Sequence, residues 1–339
     1  MINYIYQLVS PGVISVKYKD IDFDKKVIVK PTYMAVCHAD QRYYLGQRST
    51  ESLKKKLPMA LIHECVGKVI YDPTNTYQKG QNVVLIPNVP PINNPNNEIY
   101  ENYAKGSAFL SSGKDGFMRE LVDLDIDRVV PFDGVSEPLA AISEFISVGV
   151  HAITRMMTNA HSNKDTIGIW GDGSLAYVMA CLIKKMLPKS KVVVVGKDSY
   201  KLSQFLFADN TYFADDLPCG FNVDHAFECA GGEGSYYAID DIINYINPQG
   251  TVVLMGVSEN KVAINTRNIL EKGLTFIGSS RSGRKDFEKT VEFLKDPSFQ
   301  KRISRIIYQD EAVRSIKDIA RVFKTDANTY FKTVFKWEL

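Results

Sequence analysis

The stretch Thr166-Ile167-Gly168-Ile169-Trp170-Gly171-Asp172-Gly173-Ser174-Leu175-Ala176 decides how this chain is read. Its apolar first half predicts a buried strand. Gly171-x-Gly173-x-x-Ala176 then forms a turn, and the run 175–187, LAYVMACLIKKML, predicts a helix. In such a turn the first Gly makes the bend, the second lets the backbone approach a pyrophosphate, and a small third residue lets helix pack against strand. The helix start presents unpaired N–H groups to the anion. A G-x-G-x-x-A alone is a weak signal, but its place between a strand and a helix points to a dinucleotide contacted at Gly171, Gly173, Ser174 and Leu175. The bland alternative is a glycine turn in an α/β protein that binds no nucleotide.

Further along, Lys191–Val195, Val223–Glu228, Thr251–Met255 and Leu274–Ile277 read as later strands. Strands alternating with helices predict a doubly wound parallel sheet. At the end of the second strand NAD sites place an acid that accepts from the ribose 2′-hydroxyl. Here Gly196 holds the tip, with Lys197 and Lys201 close by. A missing carboxylate beside cations suits the 2′-phosphate of NADP. The other reading makes Asp198 the acid and the lysines surface charge. Cys229, Ala230, Gly256, Val257 and Ser258 lie in later loops expected to pass the cofactor, because ligands in this fold bind at the carboxyl ends of strands.

Residues 1–140 read as mostly β, with runs at Val27–Val29, Gly67–Ile70 and Val83–Ile86 between Pro, Gly, Asn and Asp. Residues 87–98, PNVPPINNPNNE, read as a loop that continues neither ladder nor helix. A helical run follows over 140–157, and two more helical runs and a strand at Tyr330–Phe335 close the chain. The 339 residues suggest two domains. With 45% hydrophobic and 24% charged residues, a sizeable core is available. A net charge of +2 gives no reason to expect nucleic acid or a membrane surface. The five Cys are dispersed and odd in number, which argues against a disulfide framework and for a cytoplasmic protein. No secretory leader and no membrane-length apolar run is read.

Cys37, and His63-Glu64 after 25 intervening residues, add metal chemistry to this frame. A thiolate, an imidazole and a carboxylate can hold zinc and leave a position open, whereas structural zinc sites close all four. Glu144 lies on an apolar helical run, where a buried carboxylate is costly unless paired or metal-bound. Its other reading is a helix N-terminal acid stabilised by the macrodipole.

Together, Cys37-His38-Ala39-Asp40, His63-Glu64-Cys65-Val66-Gly67-Lys68-Val69, the 144–152 segment EFISVGVHA and the G-x-G-x-x-A turn resemble the zinc-dependent medium-chain dehydrogenase/reductase superfamily. The resemblance implies an α/β chain with a GroES-like, mostly-β catalytic domain over 1–147, completed by 280–339. It also implies a Rossmann NADP-binding domain over 148–279. It implies one catalytic zinc at Cys37, His63 and Glu144, with Glu64 an adjacent carboxylate that can ligate in some states and Asp40 orienting the imidazole. Two departures stand out. No Cys lies between Cys65 and Cys181, so the structural zinc of many relatives is not expected. Ala39 replaces the hydroxyl that begins a proton relay in many relatives, and Ile62 replaces a Gly. The strings INYIYQLVSPG, ADQRYYLGQR, HAFECAGGEGS and LEKGLTFIGSSRSGRKDFE resemble, more specifically, ribulose-5-phosphate reductases of teichoic-acid and capsule synthesis. That resemblance implies NADPH reduction of the C2 ketone of D-ribulose 5-phosphate to D-ribitol 5-phosphate. Arg42, Arg281 and Arg284 are candidates for its phosphate, and Arg48 a further one. A homodimer and association with a ribitol-5-phosphate cytidylyltransferase are implied partners. The competing readings are an NAD-dependent sorbitol- or xylitol-type polyol dehydrogenase and a catalytically silent nucleotide-binding scaffold.

Overall fold

The computed structural model describes residues 2–21, 23–91 and 99–339. The chain divides into two compact units, Met1–Ser147 with Arg281–Leu339, and Val148–Ser280.

The second unit is built on a parallel sheet in the order Asn210–Phe213, Lys191–Gly196, Thr166–Trp170, Val223–Glu228, Ile246–Leu254, Thr275–Gly278. Numbered along the chain this is 3-2-1-4-5-6, the doubly wound order whose reversal point lies between strands one and four. Val223–Glu228 is buried at every position, as a central parallel strand covered on both faces must be. The helix Ser174–Met186 is buried continuously from Ala176 to Ile183. Asn210–Phe213 carries no apolar run and is mostly exposed, which is why its sequence gives no strand signal. Ile246–Leu254 begins well before the Thr251 expected from sequence.

The first unit carries an antiparallel-rich sheet. Its order is Val129–Pro131, Asn82–Leu85, Glu64–Tyr71, Val27–Ala35, Lys332–Lys336, Ile307–Gln309, with Val122–Leu124 also paired to Val27–Ala35. A second sheet joins Val13–Asp20, Ile2–Ser10 and Met59–Ala60. Its core gathers Ile5, Leu8, Met34, Val69, Leu85, Phe117, Phe323 and Trp337, all buried. Three helices follow residue 280, Arg284–Leu294, Pro297–Ile303 and Ile316–Ala327, where sequence suggested two. The expected loop at 87–98 is corrected at its start: Asn88–Val89 pairs with Ala108–Phe109. Residues 92–98 lie outside the described residues. Among the described residues no helix is long and apolar enough to cross a membrane.

Register brings the candidate metal residues together. Ala35 pairs with Glu64 on one side and with Val334 on the other. Residues directly opposite in a ladder share a face, and so do alternate residues along a strand. Glu64, Cys37 and Lys332 therefore fall on one face at the end of three adjacent strands. His63, next to Glu64, would point the other way in a regular strand. His63 lies just before the strand Glu64–Tyr71 begins, and Ile62 ahead of it bends the entering chain, with φ of 68° in the left-handed region. Residues 116–118 clamp this bend through Gly116 N to Ala60 O at 2.8 Å and Phe117 N to Ile62 O at 2.7 Å. Gly116 lies so close that a Cβ there would stand 2.4 Å from Ile62 O and 2.5 Å from Leu61 O. Gly116→Ala must push rigid backbone, so it is expected to destabilise the protein by about 1–3 kcal/mol, the usual scale of overpacking. A lowered urea midpoint with unchanged slope is the readout.

Candidate metal and dinucleotide sites

Cys37, His63 and Glu64 each place a ligand-capable atom within 4.8 Å of the others. His63 and Glu64 are buried and Cys37 is partly so. Asp40, fully buried, lies with Oδ2 3.1 Å from His63 Nδ1. Its Oδ1 accepts from Ile62 N at 3.0 Å and from the Ser111 hydroxyl. Burial alone would lower the His63 pKa, but the Asp40 carboxylate and Cys37 outweigh it and raise it well above its ordinary value in the metal-free protein. Asp40 faces Nδ1, so Nε2 is the nitrogen available to a metal, which would displace its proton.

Glu64 is held from the other side. Lys332, itself buried, donates to Glu64 Oε1 at 2.5 Å and to Val36 O at 2.7 Å, and its ammonium lies 4.6 Å from the centroid of the Phe145 ring. Glu64 Oε2 is buried without a hydrogen-bond partner. A partly buried thiol, an imidazole oriented by Asp40 and a buried carboxylate oxygen with no hydrogen-bond partner form a donor set that fits zinc. Lys332 was not singled out from sequence. A lysine in a final strand carries no motif, and only the register shows what it faces.

Glu144 is buried but contributes no atom to the cluster of three. Burial raises its pKa, His63 opposes and Glu64 adds to it, and the value reaches about 7. A folded value above the ordinary 4.5 means that the folded chain holds this proton more tightly than the unfolded one. That contribution to stability is present below pH 4.5 and is lost as pH rises through 7. Chelator-treated protein is therefore expected to lose stability between pH 4.5 and 7 from this group. Glu144→Gln should flatten that part of the profile in urea titrations; an equally steep profile would contradict the assignment.

The arginine candidates separate clearly. Arg284 is committed to structure: Nε meets Glu288 Oε1 at 2.8 Å, and Nη1 donates to Asp127 O at 2.7 Å and Val129 O at 2.9 Å. Arg42 lies on the helix His38–Tyr44 and, with Arg48, helps lower the His38 pKa, for which burial is the larger cause. Arg48 stacks on Tyr43 at 4.8 Å. Arg281 sits at φ 58°, with its guanidinium 4.6 Å from the centroid of Phe109. Phe109 in turn meets the His63 ring edge-on, with centroids 5.3 Å apart. Among the described residues Arg281 makes no direct side-chain hydrogen bond or ion pair beyond the Phe109 ring contact. Burial lowers its pKa, and Glu144 is the main opposing charge. Tyr44 packs flat on Phe323, at 4.2 Å. Lys56, at the end of the helix Thr50–Lys56, donates to Ser112 Oγ at 3.0 Å.

In the second unit the loops after four parallel strands carry the sequence-assigned cofactor residues. Gly171, Gly173, Ser174 and Leu175 follow the first strand, and Gly196, Lys197 and Lys201 end or follow the second. Cys229 and Ala230 follow the fourth strand, and Gly256, Val257 and Ser258 follow the fifth. Glu228 organises the last two loops. Its Oε1 accepts from Ala230 N, Gly231 N and Ser235 Oγ, each at 3.0 Å, and its Oε2 accepts from Gly256 N at 2.8 Å. In the sequence Glu228 closes a strand and carries no motif role of its own. Its burial at the end of a central strand was the available signal.

The second-strand tip differs from its sequence reading. A Cβ at Gly196 would stand 2.7 Å from Asp172 Cβ and 2.8 Å from Asp172 Oδ2. Gly196 therefore makes room for Asp172. Asp172 Oδ2 accepts from Lys197 N at 2.7 Å and Asp198 N at 2.8 Å. Asp198 caps the short helix Ser199–Leu202, accepting from Lys201 N at 3.0 Å. The Lys197 ammonium lies 5.1 Å from the Tyr237 ring centroid.

These two units define a class. Residues 24–134 match the alcohol dehydrogenase GroES-like domain and residues 214–296 match the zinc-binding dehydrogenase domain. The chain is 55% identical to a ribulose-5-phosphate reductase of Streptococcus pneumoniae, over 100% of this chain and 98% of that one. It is 47% identical to ribulose-5-phosphate reductase 1 of Staphylococcus aureus, over 99% of each. The crystal structure of S. aureus TarJ in complex with NADPH superposes with a TM-score of 0.88 at 43% identity, covering 100% of both chains. The chain belongs to the ribulose-5-phosphate reductase family of zinc-binding, medium-chain dehydrogenases.

Proposed function

We infer that this protein reduces the C2 ketone of D-ribulose 5-phosphate to D-ribitol 5-phosphate with NADPH, feeding CDP-ribitol and poly(ribitol phosphate) synthesis. The observation that carries the reading is full-length identity of 55% to a ribulose-5-phosphate reductase in a chain that keeps the clustered Cys37, His63 and Glu64. These three would hold a zinc ion, with Glu144 beside them as a further candidate ligand. Bound there, zinc supplies Lewis-acid polarisation of a ketone oxygen. The dinucleotide, held by the loops at 171–175, 196–201, 229–230 and 256–258, supplies the hydride. Asp40 orients His63, and Lys332 fixes Glu64 while balancing its charge. Ala39 has no hydroxyl, so the proton required at the C2 oxygen takes another route. His38, held below its ordinary pKa by burial and by Arg42, Arg48 and Lys332, is a neutral group able to pass it. Glu64, whose pKa burial raises despite Lys332, is a second.

Five bonds separate C2 of the substrate from phosphorus, roughly 6 Å when extended. Arg281, one aromatic ring away from His63 and without a direct ion pair among the described residues, is the arginine this span favours for the phosphate. The edge of Thr275–Gly278, which ends the parallel sheet, supports a homodimer formed by sheet extension. A cytoplasmic location and physical association with a cytidylyltransferase that consumes the product complete the proposal. The dispersed free cysteines support the first and the chemistry of the product the second.

NADPH oxidation with ribulose 5-phosphate, run beside NADH, sorbitol and xylitol and with or without chelator, tests the reading. Turnover is expected with ribulose 5-phosphate and to be lost with chelator; preference for an unphosphorylated polyol pair would replace it. Cys37→Ser should abolish turnover and bound zinc while NADPH still binds. Arg281→Ala should raise KM for ribulose 5-phosphate at least a hundredfold, consistent with loss of a charge-assisted contact of about 3 kcal/mol. Arg281→Lys should recover part of it, and kcat/KM for unphosphorylated ribulose should change little.

A further inference from the structure

The geometry points to Asp172 as the residue that sets the balance between NADPH and NADH, an inference that rests on the dinucleotide reading above. In this fold the group at the second-strand tip reads the adenosine ribose, and an acid there selects a 2′-hydroxyl over a 2′-phosphate. The tip residue here is Gly196, yet the tip is not without a carboxylate. Asp172, from the first loop, fills the space that a side chain at Gly196 would need. Its Oδ2 takes the Lys197 and Asp198 N–H groups at 2.7 and 2.8 Å, so two amides that a phosphate could use are already occupied by an anion. Asp198 follows the tip and has its Oδ1 engaged in capping the next helix, accepting from Lys201 N at 3.0 Å. Asp172 is half-buried, and its Oδ1 has no hydrogen-bond partner among the described residues.

The tip thus presents an acceptor for a ribose hydroxyl beside Lys197 and Lys201, which suit a phosphate. Asp172 favours NADH by accepting its 2′-hydroxyl and opposes NADPH through repulsion of like charges. The lysines carry the preference for NADPH against it. Specificity is a difference between two affinities, and Asp172 narrows that difference.

Asp172→Asn isolates the charge. Both loop hydrogen bonds end on one oxygen, so an amide oxygen can keep them while the amide nitrogen replaces Oδ1. The test is direct binding of NADPH and of NADH to the full-length, zinc-loaded protein without substrate, followed by nicotinamide fluorescence. The ratio of the NADH to the NADPH dissociation constant is expected to rise about tenfold in Asp172→Asn. Asp172→Ala, which also removes the loop bonds, should weaken both dinucleotides and still raise the ratio, so it serves if the Asn variant fails to fold. A ratio that stays the same or falls in the folded variants overturns the role of Asp172. Wild-type protein that binds neither dinucleotide overturns the cofactor reading itself.

Discussion

The buried pair between Lys332 and Glu64 is the contact on which the catalytic unit depends. It joins the last strand of the chain to the strand that follows His63, across the strand that ends before Cys37. Removing one partner of such a pair typically costs ~3–5 kcal/mol, because the other is left charged and without compensation. The pair therefore ties correct sheet assembly to a correctly aimed Glu64. It also explains why residues 281–339 belong to the same unit as the N-terminal segment. The final strand brings the cation that makes a buried carboxylate at position 64 tolerable.

The nucleotide unit solves a similar problem with a different device. Its loops must present backbone N–H groups, and such loops need an internal acceptor to hold their shape. Glu228 provides it for two loops at once, with four bonds from one carboxylate. Asp172 does the same between the first loop and the second-strand tip. In both cases an acid at the end of a parallel strand is spent on backbone amides, so its identity in the sequence does not reveal whether it meets a ligand or the loop itself.

That ambiguity marks where the sequence was legible. The turn at 171–176 could be read because strand, glycines and helix are contiguous, and Cys37 with His63-Glu64 because ligand chemistry restricts residue type. What could not be read depends on long-range register. Nothing local to Lys332 tells of Glu64, 268 residues away. Gly196 was legible as a missing acid, but the acid that replaces it comes from 24 positions upstream, and only the close approach of two loops shows it. Arg284 and Arg281 look alike in sequence. One is bound to carbonyls and Glu288, and the other makes no direct ion pair among the described residues and rests on an aromatic ring.

Backbone strain follows the same map. Five described residues other than glycine adopt a positive φ, and three of them, Ile62, Ser111 and Arg281, connect to the candidate metal residues through Asp40 or Phe109. Ile62 N and the Ser111 hydroxyl both bind the Asp40 carboxylate, and Arg281 covers the ring that abuts His63. Each such residue costs about 1–3 kcal/mol and persists only where its surroundings hold it. A β-branched residue is the least suited to this region, yet Ile62 is fully buried in the core, so the contacts of its side chain offset the strain of its backbone. A glycine there would relax the backbone and surrender those contacts. The bend itself is held from two sides, by Asp40 on Ile62 N and by Phe117 N and Met118 N on the carbonyls of Ile62 and Leu61.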